Sequence, residues 1–382
     1  MKRKTLNFGI IGLGLMGKEF ASSVARWCHL NTQAPMPVLT AVCDTNPAAL
    51  DWFKNNIPSV TLAVTDYKEL LASKEVDAVY CAIPHSLHEK VYIDILNAGK
   101  HLLGEKPFGI DKKANDAILQ AVKRNPNLVV RSSSEFPYFP ACKRLIEWIR
   151  EGRYGRLIEV RSGFHHSSDM DQNKPINWKR MASVNGDYGC MGDLGMHTQH
   201  VPFRMGWKPV SVFADLQKLV RTRPDGKGNT VACDTWDNAL LLCRALDSRT
   251  DEEFSIHFET RRMAPGATNT WYLEVYGTEG SARFTTADPK AFFVLETKGK
   301  EQGWTRLDIG SQSFIPSVTG GIFEFGFSDA LQQMIGAFCE EFSEGGSKHV
   351  FGNVTPDETA LSHALLTAAL ESNKTRSSVE VA

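Results

Sequence analysis

The sequence predicts a two-part protein: an N-terminal doubly wound α/β domain on a parallel sheet, then an α+β domain with a large, mostly antiparallel open sheet. Three observations predict it. Short apolar runs alternate with helical patterns through residue 133, the first run opens onto Gly12-Leu13-Gly14-Leu15-Met16-Gly17, and long strand-like segments dominate from residue 134 to 382. At 382 residues the chain also exceeds one ordinary domain of about 150.

The elements follow in order. Leu6 to Ile11 reads as a short buried strand, and the glycine run carries it into a helical pattern reaching Leu30. Val38 to Cys43 is a second strand ending on Asp44, after a loop insertion over His29 to Pro37. Ala48 to Asn55 is helical, with Pro47 suited to its first turn. Tyr67 to Ala72 is a helix, Val76 to Ile83 a buried strand broken by Pro84, and His88 to Ala98 a helix stopped by Gly99. His101 to Leu103 is a strand running into Glu105-Lys106-Pro107, followed by a helix over Asp111 to Arg124 and a strand over Leu128 to Arg131. Repeated βα units with continuously apolar strands require a parallel sheet covered on both faces.

The second part changes character. A helix over Ala141 to Glu151 precedes strands over Arg156–Phe164, Val210–Val220, Asn238–Leu246, Phe254–Arg261, Thr270–Tyr276 and Ala291–Thr297, and helices over Phe327–Phe342 and Asp357–Asn373 close the chain. Ala239-Leu240-Leu241-Leu242-Cys243 is apolar on both faces, so its strand needs two covers. The chain's own helices supply one. A second subunit is expected to supply the other, making a homodimer or homotetramer through this sheet.

Composition removes several function classes. Forty-three Lys and Arg against 44 Asp and Glu leave a net charge of −1, without the basic bias of a nucleic-acid binder. No run reaches the ~20 apolar residues that span a bilayer, so no membrane partner is expected. The eight cysteines contain no CxxC pair, and several sit in apolar runs as buried thiols, which points to a reducing, cytoplasmic setting. Lys2-Arg3-Lys4, the apolar stretch to Met16 and Ser23-Val24-Ala25 imitate a secretory leader, but Lys18 and Glu19 interrupt it.

The glycines explain that stretch better. A GxGxxG between a strand and a helix is a dinucleotide fingerprint: Gly12 permits the tight turn, Gly14 admits a pyrophosphate, and Gly17 lets helix and strand pack closely. The helix N-terminus then offers N–H groups and a positive dipole end to phosphates. Asp44 ends the second strand, where a carboxylate accepts from ribose hydroxyls and repels a 2′-phosphate. NAD is therefore expected over NADP. The plain alternative for Asp44 is a turn residue before Thr45-Asn46-Pro47.

Two further patterns carry chemistry. Lys106 follows the C-terminal end of a parallel strand, where open α/β sheets bind ligands. Asp193 and His197 at helical spacing share a face, with His200 a turn further on. A carboxylate beside an imidazole of ordinary pKa ~6.5 suits exchange of an alcohol proton near neutrality. The competing readings are a helix cap plus a core histidine, or metal-dependent hydrolysis using Asp193, His197 and His200 with His165, His166 and Asp169 nearby. The dinucleotide loop disfavours the latter, so no metal is expected.

Taken together these motifs resemble the Gfo/Idh/MocA family of nicotinamide-dependent sugar and polyol oxidoreductases. The resemblance runs through Ile83-Pro84-His85-Ser86-Leu87-His88, Glu105-Lys106-Pro107, Glu151-Gly152-x-x-Gly155-Arg156, Asp193-x-Gly195-x-His197 and Tyr276-Gly277-Thr278-Glu279-Gly280. It implies a dinucleotide-binding Rossmann domain over 1–133 and a substrate-binding, oligomerising domain over 134–382. It implies Lys106, Asp193 and His197 as catalytic residues, with a cis Lys106–Pro107 peptide. It further implies cofactor contacts from Gly12, Gly14, Leu15, Met16, Gly17, Asp44, Pro84, His88, Glu105 and Lys106. The expected reaction is oxidation of a secondary alcohol of a sugar, inositol or related polyol, with His165, Trp178 and Arg180, alongside Asp193 and His197, holding the substrate. The rivals on this fold are an NAD-dependent glycosidase working by transient oxidation and a non-catalytic cofactor-sensing regulator. This sequence departs from the family at His200, around Trp178-Lys179-Arg180, where the cation that reaches the site is open, and at Phe136-Pro137-Tyr138-Phe139-Pro140.

Overall fold

The computed structural model describes residues 4–344 and 351–382; Lys2 and Arg3 of the leader-like stretch lie outside them. The chain divides into two units, Met1–Gly109 with Lys113–Tyr138 and Ser311–Pro356, and Ile110–Lys112 with Phe139–Gly310 and Asp357–Ala382.

In the first unit β1 (Thr5–Ile11), α1 (Leu15–Ala25), β2 (Met36–Cys43), α2 (Pro47–Asn56), β3 (Leu62–Val64), α3 (Tyr67–Ala72), β4 (Ala78–Cys81), α4 (His88–Asn97), β5 (His101–Gly104), α5 (Lys112–Arg124) and β6 (Val130–Ser132) alternate. The strands are all parallel, in the order β3-β2-β1-β4-β5-β6. The order reverses between β1 and β4, which opens a crevice at their C-terminal ends. Local chemistry sets the helix starts: Asn46 accepts from the Ala48 N–H at 3.2 Å ahead of Pro47, and Asp66 from that of Lys68 at 2.9 Å. Aromatic packing joins the layers, since Phe20 of α1 stacks on Tyr80 of β4 at 4.2 Å between ring centres. Strand β2 starts earlier than expected, at Met36. Its Pro37 is tolerated because β3 pairs only with Ala41 to Cys43 and needs no N–H from Pro37.

The second unit starts with α6 (Pro140–Arg150), β7 (Leu157–His165), α7 (Ala182–Asn185), α8 (Cys190–Arg204) and β8 (Trp207–Gln217). A small hairpin, β9 (Thr222–Pro224) and β10 (Thr230–Ala232), precedes β11 (Asn238–Asp247), β12 (Glu252–Arg261), β13 (Thr270–Gly277), β14 (Gly280–Thr285), β15 (Ala291–Glu296) and β16 (Thr305–Asp308). The chain ends with α9 (Phe327–Glu344), α10 (Pro356–Thr375) and β17 (Val379–Glu380). Nine strands form one sheet in the order β16-β15-β14-β13-β7-β12-β11-β8-β17. It is mixed, because β7 and β12 run parallel while the other pairs are antiparallel.

One sequence expectation changes here. Helix α9, placed by sequence within 134–382, packs in the first unit: Gln332 donates to the Ser23 carbonyl at 3.2 Å, and Phe338 meets Phe8 at 5.8 Å between ring centres. In β11, Ala239, Leu241 and Cys243 are buried, whereas Leu240 and Leu242 are 39% and 46% exposed. The chain's described residues therefore cover one face of this strand only. Among them no helix is long and apolar enough to cross a membrane.

Candidate active site

The first unit holds the expected nucleotide loop. Gly12 has φ +95°, and a Cβ there would lie 2.3 Å from the Ala82 carbonyl oxygen. A Cβ on Gly17 would lie 2.3 Å from the Gly12 oxygen, so both positions require glycine for different reasons. Gly14 has nothing within 4 Å of such a Cβ, which leaves open space at the mouth of the loop. It is also the N-cap of α1 and supplies no side-chain cap, while Leu15 beside it is 85% exposed. An uncapped helix start facing open space fits a pyrophosphate. Asp44 accepts from the Leu13 N–H at 2.8 Å and from the Asn46 N–H at 2.9 Å. It thus braces the glycine loop and makes the expected turn together. Each carboxylate oxygen keeps acceptor capacity for a ribose hydroxyl.

Beyond β4 and β5 the structure revises one contact. His88 is fully buried, its Nε2 3.0 Å from the Ile83 carbonyl and its Nδ1 accepting from the Gly109 N–H at 3.4 Å. Its ring lies against Tyr92 at 4.7 Å. It ties together the loops that follow the two strands and offers no exposed surface to a cofactor, whereas Pro84 remains partly exposed. Glu105 is buried, accepting from the Tyr80 hydroxyl at 2.6 Å, while its carbonyl accepts from that of Tyr92 at 2.8 Å. Lys106 follows, on a cis Lys106–Pro107 peptide. Glu135 was not picked out from the sequence. Burial, then the charge of Glu105, push its carboxyl up to about 8 against the opposing pull of Lys106.

In the second unit α8 carries Asp193 and His197 one turn apart, both buried. The Trp271 indole donates to the His197 carbonyl at 2.9 Å, and Phe164 of β7 meets the His197 ring edge-on at 5.4 Å. Lys179 and Arg262 both reach Asp193 Oδ2, at 3.0 and 3.3 Å. Arg262 also donates to the Lys179 carbonyl at 2.9 Å and to Asn185 at 3.4 Å. Lys179 is therefore the cation that the Trp178-Lys179-Arg180 segment delivers to Asp193. The fully buried Arg180 instead lies 2.6 Å from Asp169 and pairs with Asp237, so its expected hold on substrate is not what the geometry provides. His200 lies 3.5 Å from Arg204, which grips Glu358 at 2.6 and 3.0 Å, and this places His200 in a structural ion cluster.

His165 is corrected by strand parity. Phe164 faces α8, so His165 points to the opposite side of the sheet, where it pairs with Glu259 at 3.1 Å and meets Tyr272 edge-on. His166, one residue on, lines a cavity of about 190 Å³ with Asp169, Lys174, Asn177, Trp178, Lys179, Asp193 and Arg262. Among the described residues no group of three or more His, Cys, Asp and Glu is arranged to hold a metal ion.

Two family models match this chain, one described as an oxidoreductase family with an NAD-binding Rossmann fold over residues 6–132, the other as the GFO/IDH/MocA C-terminal domain over residues 142–283. The chain belongs to the Gfo/Idh/MocA family. Levoglucosan dehydrogenase of Pseudarthrobacter phenanthrenivorans is 26% identical over 301 residues, covering 74% of each chain. A scyllo-inositol 2-dehydrogenase (NADP(+)) of Bacillus subtilis is 36% identical over 181 residues, covering 47% of this chain and 54% of that one. A solved levoglucosan dehydrogenase in complex with NADH superposes with a TM-score of 0.87 over 99% of this chain and 100% of that chain at 23% identity, a likeness of fold. As a family member this chain is an oxidoreductase, and its residues 6–132 are the family's NAD-binding domain.

Proposed function

We propose that the protein is a dehydrogenase that oxidises a secondary alcohol of a sugar, cyclitol or related polyol. The observation that carries this reading is the buried Asp193–His197 pair on α8, in a chain whose first unit has the glycine loop and Asp44 of an NAD site. Bound NAD⁺ would supply the hydride acceptor. Gly12, Gly14, Leu15, Met16 and Gly17 would seat its pyrophosphate, and Asp44 its ribose. His197 removes the hydroxyl proton, Asp193 orients it, and Lys106 stabilises the developing alkoxide. Trp178 and His166 hold the substrate. The levoglucosan and inositol specificities named for the relatives support a polyhydroxylated ring as substrate.

Reduced-cofactor absorbance with sugars, inositols and anhydrosugars, each with NAD⁺ and NADP⁺, tests this. Turnover with NAD⁺ is expected, and Lys106→Ala and His197→Ala should each lower kcat/KM by about 10²–10⁴. Near-normal turnover in either variant refutes the assigned roles. Glycoside cleavage without net reduced cofactor identifies transient oxidation instead.

The reading includes a cytoplasmic setting, supported by eight free cysteines of which seven are buried. It also includes a homodimer or homotetramer through the nine-stranded sheet, supported by the exposed Phe213, Leu240 and Leu242.

A further inference from the structure

We propose, building on the dehydrogenase reading, that the cavity beside Asp193 is a carboxylate subsite and that the polyol it serves is a sugar acid or a carboxylated cyclitol. The cavity wall carries Lys174, Lys179 and Arg262 against Asp169 and Asp193. The ion pairs behind this wall keep the same imbalance. Asp193 is shared by Lys179 and Arg262. Asp169 is shared by Arg180 at 2.6 Å, Lys174 at 3.2 Å and Arg223 at 3.8 Å, while Asp237 adds one further carboxylate, on Arg180. Among the described residues the Asp169 cluster therefore holds one more cation than it holds carboxylates.

Burial makes that surplus consequential. Side chains of Arg180 and Arg223 are fully buried and that of Arg262 nearly so, so water screens their charges little. Burial raises the pKa of Asp169, but Arg180, Lys174 and Arg262 outweigh it and hold the carboxyl below its ordinary range. The lysines are the members that a ligand can reach, 36% exposed at Lys174 and 41% at Lys179. A neutral hydroxyl answers hydrogen-bonding capacity but not net charge. A carboxylate answers both, with two oxygens for ammonium donors.

The rest of the cavity suits the remainder of such a molecule. Its 190 Å³ is roughly the space of six waters, enough for a carboxylate and part of a ring. Trp178 presents an indole with the Lys179 ammonium 5.8 Å from its centre, giving a flat surface beside a cation. Asn177 and His166 supply amide and imidazole groups for hydroxyls. Asp193 lies on the same wall, so a ligand anchored there lies against a proposed catalytic residue.

Calorimetry on the full chain saturated with NADH separates this subsite from turnover. The probes are matched pairs: glucuronate with glucose, galacturonate with galactose and gluconate with glucitol, plus glucose 6-phosphate. The carboxylates should bind about tenfold or more tightly than their neutral partners at low salt, with a margin that shrinks as salt rises. Lys174→Gln should remove the margin and lower the unfolding midpoint slightly through its lost pair with Asp169, and Lys174→Arg should restore both. Equal or weaker binding of the carboxylates, no measurable binding of any, or a margin that survives Lys174→Gln overturns the subsite. Tighter binding of glucose 6-phosphate than of glucuronate overturns the choice of carboxylate over phosphate. NADH formation reports separately on the dehydrogenase reading: acids that bind tightly without being oxidised leave the subsite standing and remove that reading, whereas preferential binding and oxidation of neutral polyols does the reverse.

Discussion

A single carboxyl in the first unit connects burial to a measurable pH dependence. Burial, with Glu105 nearby, raises Glu135 from an ordinary value of 4.5 to about 8. Between those values the unfolded chain has released this proton while the folded chain retains it. The group's contribution to stability is therefore present below the lower value and lost as pH rises through the upper one. Glu135→Gln keeps the shape and removes the titration, so its unfolding midpoint should rise relative to the parent as pH moves from 4.5 to 8. Parallel midpoints across that window would sink the assignment. At this scale the sequence revealed chemistry better than direction. Asp193 and His197 were legible because helical spacing alone puts them on one face. The exchange of His165 for His166 was not, because a strand flips its side chains with every residue and only the register of β7 says which face is which. Arg262 went unseen because it adjoins Asp193 only through the fold.

The glycine loop shows how one short element divides folding from binding among like residues. An added methyl group collides with the Ala82 oxygen at Gly12 and with the Gly12 oxygen at Gly17, but meets nothing at Gly14. Gly12→Ala and Gly17→Ala should each cost at least about 1–3 kcal/mol and lower the unfolding midpoint. Gly14→Ala should leave the midpoint unchanged and raise KM for NAD, because its methyl fills space reserved for the pyrophosphate. If Gly14→Ala destabilises as much as the others, the loop is a packing device and its space is not a ligand's. Elements of strong periodicity were legible: α3 falls on the expected Tyr67 to Ala72. The missed elements are short or polar, such as β3 with three residues and β14, whose Ser281, Arg283 and Thr285 interrupt any apolar run. Their strand character comes from neighbouring strands.

For the whole molecule, the decisive feature is what the large sheet leaves uncovered. Across β8, β11 and β12, Phe213, Leu242 and His257 stand in register on one face, with Leu240 two residues along from Leu242. Phe213 is 42% exposed, close to the values for the two leucines, and alternate residues on the opposite face are buried. On the same face Arg161 lies over Tyr276 at 5.4 Å and His165 pairs with Glu259, so the surface mixes apolar and charged groups as subunit interfaces do. A two-fold contact through such a sheet presents each leucine to a copy of the same patch. Replacing both leucines with Glu would then set four carboxylates against an apolar surface, a penalty each subunit meets twice but an isolated chain does not meet at all. The expected result is an assembly of two or four chains for the parent in light scattering behind size exclusion, and single chains for the Leu240→Glu, Leu242→Glu variant with unchanged circular dichroism. A variant that keeps the parent's mass places the interface elsewhere, and a parent that is already a single chain removes the interface altogether.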